Sequence, residues 1–190
     1  MSKPFFDDET YENVDFSETK LVKGEYDNCR FVKCNFSEVH ASNNQFMECE
    51  FEECDFSNAI VSASTFKEVR FDHCKMIGVR FDEIDPLFLD MQFKSCNLDY
   101  SSFYNLNVSK TVFDSCSLIS VDFTDAFLTE ASFLNCDLKN AKFERSNLEK
   151  ANFETAINFD IDPEQNKLKG ARFSKDNLIG LLAKYQIKVE

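Results

Sequence analysis

Cysteine, histidine and carboxylate are the side chains with chemical reach in this sequence, and their spacing argues against catalysis in each case. Six of the eight cysteines, Cys34, Cys54, Cys74, Cys96, Cys116 and Cys136, recur at steps of twenty with one step of twenty-two; Cys29 and Cys49 repeat the same step alongside. No Cys-x-x-Cys pair or His-containing ligand set accompanies them, so a zinc site is not expected. Side chains stacked in parallel register also lack the torsion that a disulfide requires. Small buried thiols in a reducing compartment are the expectation. His40 and His73 fall at outward positions far apart in the repeat. No Ser–His–Asp arrangement, phosphate-cradling glycine loop or EF-hand loop is visible. A non-enzymatic protein without cofactor or metal is expected.

Carboxylates are abundant. The chain of 190 residues carries 34 acids against 21 Lys and Arg, a formal charge of −13. An acid–base pair needs two environments that push two pKa values apart, and a regular solvated surface offers none. The densest run is Glu48, Glu50, Glu52, Glu53 and Asp55. Stacking by twenty sets Glu50 between Arg30 and Arg70, Glu53 between Lys33 and His73, and Asp55 against Lys75. Such pairs contribute roughly 0.2–1 kcal/mol each. Glu52 and Asp72 are left without a basic neighbour, as are Glu48 and Glu68. Together with Asp82, Glu83 and Asp85 they form the candidate acidic surface for a partner. An acidic chain is poorly suited to hold nucleic acid directly, because that affinity comes from Lys and Arg neutralising phosphates.

The elements that must position these residues follow from a second regularity. Aromatics recur every twenty residues at Tyr11, Phe31, Phe51 and Phe71, then at Phe93, Phe113, Phe133, Phe153 and Phe173. The underlying period is five, which matches neither the 3.6 of a helix nor the two of a strand. A quarter-turn per pentad satisfies it. Four pentads then make one square coil, and residues twenty apart stack about 4.8 Å apart. Small residues, the cysteines among them, occupy a second inward position two before each central residue. The columns predict a β-solenoid with one continuous core, 22 Phe and no Trp. Its first coils span 6–81 and the remaining coils 88–173, in a single domain. Between Phe81 and Phe88 the step is seven, so 82–87, stiffened by Pro86, is expected to be an irregular corner after which Phe88 resumes the inward column.

Residues 1–5 are expected to be a tail or N-terminal cap. At the other end the period changes over 174–190. Leu178, Leu181, Leu182 and Tyr185 recur at helical spacing with Ser174 or Asp176 available as N-cap, predicting a short α-helix. Ile187 and Val189 then alternate like a strand. A solenoid must hide its last coil, so this segment is expected either to cap that end or to join it to a second copy. No apolar run reaches the ~18 residues that span a bilayer, and the N-terminus lacks a signal-peptide pattern; a cytoplasmic protein with no membrane contact is the expectation.

The A/C-x-F/L-x-x pattern, as in Ala126-Phe-Leu, Ala131-Ser-Phe, Cys136-Asp-Leu, Ala141-Lys-Phe and Ala151-Asn-Phe, resembles the pentapeptide-repeat proteins over nearly the whole chain. The resemblance implies an all-β, right-handed quadrilateral β-helix of about eight coils, roughly 40 Å long. More narrowly, Cys74-Lys-Met-Ile-Gly-Val-Arg-Phe81 before an irregular corner, and Ile161-Asp-Pro-Glu-Gln-Asn before the terminal segment, resemble the McbG, Qnr and MfpA group. That resemblance implies a homodimer joined through the C-terminus, with Leu178, Leu181, Leu182, Tyr185 and Ile187 at the join. It also implies an acidic surface that mimics duplex DNA and protects DNA gyrase or topoisomerase IV from quinolones or microcin. A general protein–protein scaffold with another partner is the alternative.

Overall fold

The computed structural model describes residues 3–188. Eleven short parallel strands are present: β1 (Phe5–Asp7), β2 (Thr10–Glu12), β3 (Glu25–Asp27), β4 (Arg30–Val32), β5 (Gln45–Met47), β6 (Glu50–Glu52), β7 (Thr65–Lys67), β8 (Val69–Asp72), β9 (Met91–Lys94), β10 (Val112–Asp114) and β11 (Ser132–Leu134). They form two sheets, β1-β3-β5-β7 and β2-β4-β6-β8-β9-β10-β11. The other two walls are held by single parallel bridges such as Asp15↔Asn35 and Ser102↔Asp122. Each successive pentad thus lies on the next wall of a parallel β-solenoid.

The aromatic column is continuous. From Tyr11 to Phe173 the rings stack with centroids 4.7–5.3 Å apart and planes within 13°. Rings on adjacent walls meet edge-on, as Phe51 does with Phe56 at 5.1 Å. The parallel in-register coil therefore satisfies both geometries that aromatic quadrupoles favour. All eight cysteines are free and buried, and their thiols reach main-chain carbonyls, as from Cys54 to Phe31 O at 3.4 Å.

Corners are made by the residue two after each central one. It adopts left-handed φ at nearly every pentad, including Asn13, Glu48, Glu68 and Asn105. Asn is the commonest occupant because its short polar side chain tolerates that region best among residues with a Cβ.

The irregular corner differs from expectation. Ile84 is buried where Ser64 lies one coil earlier, and Asp85 still donates its N–H to Ser64 O. Register is lost only at Pro86–Leu89, which replaces two residues with four before Asp90 N–H meets Phe66 O. Phe88 does not resume the column. It turns outward at φ 57° with 72% of its surface exposed, while Leu89 packs against the core. The cause is Pro86: it stands where the ladder needs an N–H, and proline has none.

The C-terminal α-helix is also corrected. Leu178–Leu181 and Ala183–Tyr185 are two short 3-10 turns, and Gln186 ends them at φ 50°. Gly180 is pressed so close to Phe159 that an added Cβ would lie 2.4 Å from its carbonyl oxygen, and Ile161 N–H donates to Gly180 O. This docking holds the backbone in 3-10 turns in place of a regular helix. Ser174 Oγ accepts from Asn177 N–H at 3.3 Å, as a cap would. Ile187 is in no strand; Val189 lies outside the described residues.

Candidate functional site

The acids singled out from sequence do not converge on one surface. Glu48 and Asp85 belong to the wall of β1, β3, β5 and β7, Glu52 and Asp72 to the wall of the longer sheet, and Asp82 and Glu83 to a third. A run that is dense in the chain is therefore spread around the coil, because every five residues turn a corner.

Several of these acids are also paired. Arg30 stacks over Glu50 in the register but reaches diagonally to Glu52. Asp72 accepts from His73 Nδ1 at 2.6 Å and lies 3.4 Å from Lys94 Nζ. Arg70 takes Glu50 at 3.4 Å, Lys33 takes Glu53 at 3.7 Å and Lys75 takes Asp55 at 3.2 Å. The expectation that Glu52 and Asp72 stand unpaired is thus corrected: Arg30 is long enough to reach Glu52 diagonally, and the two-residue insertion brings Lys94 into register with Asp72. The groove of about 310 Å³ over this wall, lined by Glu50, Glu52, Arg70, Asp72, Gln92 and Lys94 among others, is accordingly of mixed charge. On the third wall Asp82 is clamped by Arg80 through two bonds of 2.6 and 2.9 Å with its side chain only 8% exposed, and Arg80 lies 3.8 Å from Glu83. Burial opposes ionisation of Asp82, but the Arg80 guanidinium and Ser102 outweigh it and hold the carboxyl below the usual range. Glu68 has Lys67 at 3.7 Å.

The wall of β1, β3, β5 and β7 is different. Stacked by twenty, Asp7 and Asp8 lie over Glu25 and Asp27, then Glu48, then Glu68, and the irregular corner adds Asp85 and Asp90. The outward positions of this stretch hold eight carboxylates and one base, Lys67. Among the described residues, Glu68 alone of the eight has an ion-pair partner within 4 Å. Sequence reasoning singled out Glu48, Glu68 and Asp85 here but missed Asp7, Asp8, Glu25, Asp27 and Asp90. Extending the twenty-residue step to the outward positions from Asp7 onward was the signal that finds them.

Leu87 and Phe88, exposed at 59% and 72%, project from the midpoint of this same wall. Beyond them its outward positions turn basic: Lys110, Lys150, Lys167 and Lys169 against Glu130 and Glu149, with Lys150 Nζ 2.9 Å from Glu130.

At the far end the terminal segment lies on its own last coil. Lys184 reaches Asp162 at 2.7 Å and Glu164 at 2.8 Å, Tyr185 donates to Glu164 at 3.0 Å, and Leu181 packs on the core. Leu182 is half-buried, while Leu178, Ile179, Tyr185 and Ile187 keep roughly half their surface exposed. Of the two expected roles, capping in cis is the one observed in this single chain. No helix is long and apolar enough to cross a membrane, and among the described residues no group of three or more His, Cys, Asp or Glu is placed to hold a metal ion.

Two family models match consecutive stretches, "Pentapeptide repeats (8 copies)" over residues 49–85 and "Pentapeptide repeat region" over 85–153. No curated protein matches in sequence. Among solved structures, two trypsin-treated forms of QnrB1, a plasmid-mediated fluoroquinolone resistance protein, superpose with a TM-score of 0.65. They are 17% and 20% identical over 100% of this chain and 99% and 92% of theirs. HetL, a protein involved in heterocyst differentiation in the cyanobacterium Nostoc, aligns at 17% identity over 92% of this chain and 88% of its own, with a TM-score of 0.49. With the repeat legible in the residues, matched by family models through most of the core and built into a parallel square coil, the chain belongs to the pentapeptide-repeat family.

Proposed function

We propose that this protein is a non-catalytic rod whose acidic wall occupies a cationic groove built for DNA, with DNA gyrase or topoisomerase IV as the target. The observation that carries the reading is the row of unneutralised carboxylates on the wall of β1, β3, β5 and β7. Eight carboxylates, seven of them without an ion-pair partner among the described residues, fall within about five rungs, a length of roughly 20 Å at the inter-strand spacing. Duplex DNA carries about a dozen charges over that distance. A groove lined with Lys and Arg gains from such a row by the same neutralisation that holds phosphates, and the rigid coil presents the row without ordering cost. The resemblance to gyrase-protecting proteins and the fold shared with a fluoroquinolone resistance protein support the choice of target. The longer sheet supports it less, since its acids and bases alternate.

The test is a supercoiling and cleavage assay with purified gyrase and topoisomerase IV, with and without ciprofloxacin. Inhibition of supercoiling or relief of drug-stabilised cleavage at micromolar protein is expected, lost in Glu25→Lys/Glu48→Lys and retained in Glu52→Lys. Absence of both effects with the unsubstituted protein overturns the reading and favours a scaffold for another partner.

A further inference from the structure

The first coil presents an uncovered hydrogen-bonding edge. β1 and β2 are the end strands of the two sheets. One coil on, Glu25 and Arg30 N–H donate back to Pro4 O and Glu9 O, and Asp27 and Val32 O accept from Asp8 and Asn13 N–H. The equivalent groups of the first coil, the N–H of Phe5 and Thr10 and the C=O of Asp7 and Glu12, have no partner among the described residues. The core is open at the same place. Phe6 stacks on Tyr26 at 4.7 Å and Tyr11 on Phe31 at 4.8 Å, and among the described residues no ring covers their outer faces. Both stay half-buried where Tyr26 and Phe31 are buried. Lys3 turns the other way, with Nζ 3.4 Å from Asn43 O two coils on. We propose that this edge docks an extended cationic segment of another protein, which pairs in parallel with β1 and β2.

Main-chain groups left unpaired at a sheet edge are a template for an added strand, and the carboxylates around this one select its charge. Residues 5–12 contain Asp7, Asp8, Glu9 and Glu12 and no base. Glu9 stands in the inward column that Cys29 and Cys49 fill in the next two coils, yet it is exposed, and its carboxylate accepts from the Tyr11 hydroxyl at 2.7 Å. The end of the core is therefore bounded by charge. A second copy meeting it end to end sets these four acids against their own counterparts, and like charges across a ladder are destabilising. Phosphates are repelled in the same way, which excludes nucleic acid. A segment with Lys or Arg over Asp7 and Glu12, and aromatic side chains five residues apart over Phe6 and Tyr11, meets the charge, the ring faces and the free N–H and C=O groups at once. The left-handed corner at Asp8 asks for Gly or Asn at the matching place in the segment. The site uses the end of the rod and does not depend on the binding of a topoisomerase to the acidic wall.

Fluorescence anisotropy of a labelled octapeptide, Arg-Phe-Lys-Gly-Ala-Arg-Phe-Lys, titrated with the full chain tests this. In parallel register its two Phe fall over Phe6 and Tyr11, and its Gly N–H is aimed at Asp7 O. Saturable binding is expected in 50 mM salt, weakening several-fold at 500 mM as the charges are screened. N-methylation of the Gly amide is expected to weaken it at least fivefold. So is Asp7→Lys/Glu12→Lys, at exposed positions and checked for an unchanged melting temperature, whereas Glu48→Lys/Glu68→Lys, on later rungs of the acidic wall, leaves binding unchanged. The Thr10 amide is expected to exchange more slowly with solvent in the complex, because only an outer strand can accept from it. Absence of saturable binding at 100 µM protein overturns the proposal. So does equal binding of the N-methylated peptide and of an isomer with its two Phe adjacent, which is charge attraction alone. Binding lost in Glu48→Lys/Glu68→Lys and kept in Asp7→Lys/Glu12→Lys overturns it too, since the peptide then lies on the wall.

Discussion

Phe93 and Phe88 show how one residue type takes opposite roles within five positions. Phe93 is 1% exposed and stacks on Phe71 at 5.3 Å and Phe113 at 5.2 Å, bridging the irregular corner. Phe93→Ala is expected to cost about 3–5 kcal/mol, the range for a buried Phe, whereas Phe88→Ala changes stability by no more than about 0.5 kcal/mol. Urea unfolding of the two variants checks this directly, and equal losses would contradict the placement of Phe88. The thiols allow a second test at this scale. Burial pushes Cys49 up to about 12, while hydrogen bonding to the next thiol in the column, with burial, pushes Cys96 and Cys116 to about 12. A raised thiol stays protonated and unreactive. These three cysteines are expected to resist iodoacetamide at pH 8 in native buffer and to be alkylated in denaturant, as read by peptide mass spectrometry.

Among the elements, the C-terminal cap depends on few contacts and on charge. Hydrogen bonding to Lys184 holds the carboxyls of Asp162 and Glu164 below their usual values, and the same contacts raise Lys184. For a carboxylate whose folded pKa is depressed, the stabilisation is present above its unfolded pKa, near 4, and is lost as pH falls through the folded value. Protection of amides 178–185 from hydrogen exchange, corrected for intrinsic rate, is therefore expected to be undiminished from pH 7 to pH 5 and to fall below about pH 4. Lys184→Ala should lower it already at pH 7. Gly180→Ala should cost about 1–3 kcal/mol by overpacking against Phe159, seen as a lower melting temperature. A cap insensitive to acid and to Lys184→Ala but weakened by Gly180→Ala would mean that apolar contacts alone hold it.

For the whole molecule, the charge proposed to suit a partner works against the fold. Glu48 and Glu68 occupy neighbouring corners one coil apart, and like charges facing one another across a ladder are destabilising. Glu48→Gln is expected to stabilise the protein by about 0.2–1 kcal/mol and at the same time to weaken binding to a cationic target. Melting temperature and the supercoiling assay read the two effects in one variant. A gain in stability with unchanged target inhibition would separate Glu48 from the binding surface. Keeping such repulsion along one wall while neutralising the adjacent one fits a site in which stability is given up for function.

The sequence by itself determined the solenoid, its continuous core and the burial of the cysteines, because a period of five repeated through almost the whole chain admits one way of hiding 22 Phe. It also showed an interruption near Pro86 and a change of pattern after Phe173. Only the tertiary structure decided which acids stand free. Ion pairing depends on side-chain reach and on register across the corner, so Arg30 neutralises a diagonal neighbour, and Lys94, brought level with Asp72 by the two-residue insertion, neutralises an acid that stacking by twenty leaves bare. Likewise the outward turn of Phe88 and the replacement of a helix by 3-10 turns rest on a missing N–H and on the contact of Gly180 with Phe159. Those are properties of what each residue meets in space, which a linear spacing does not contain.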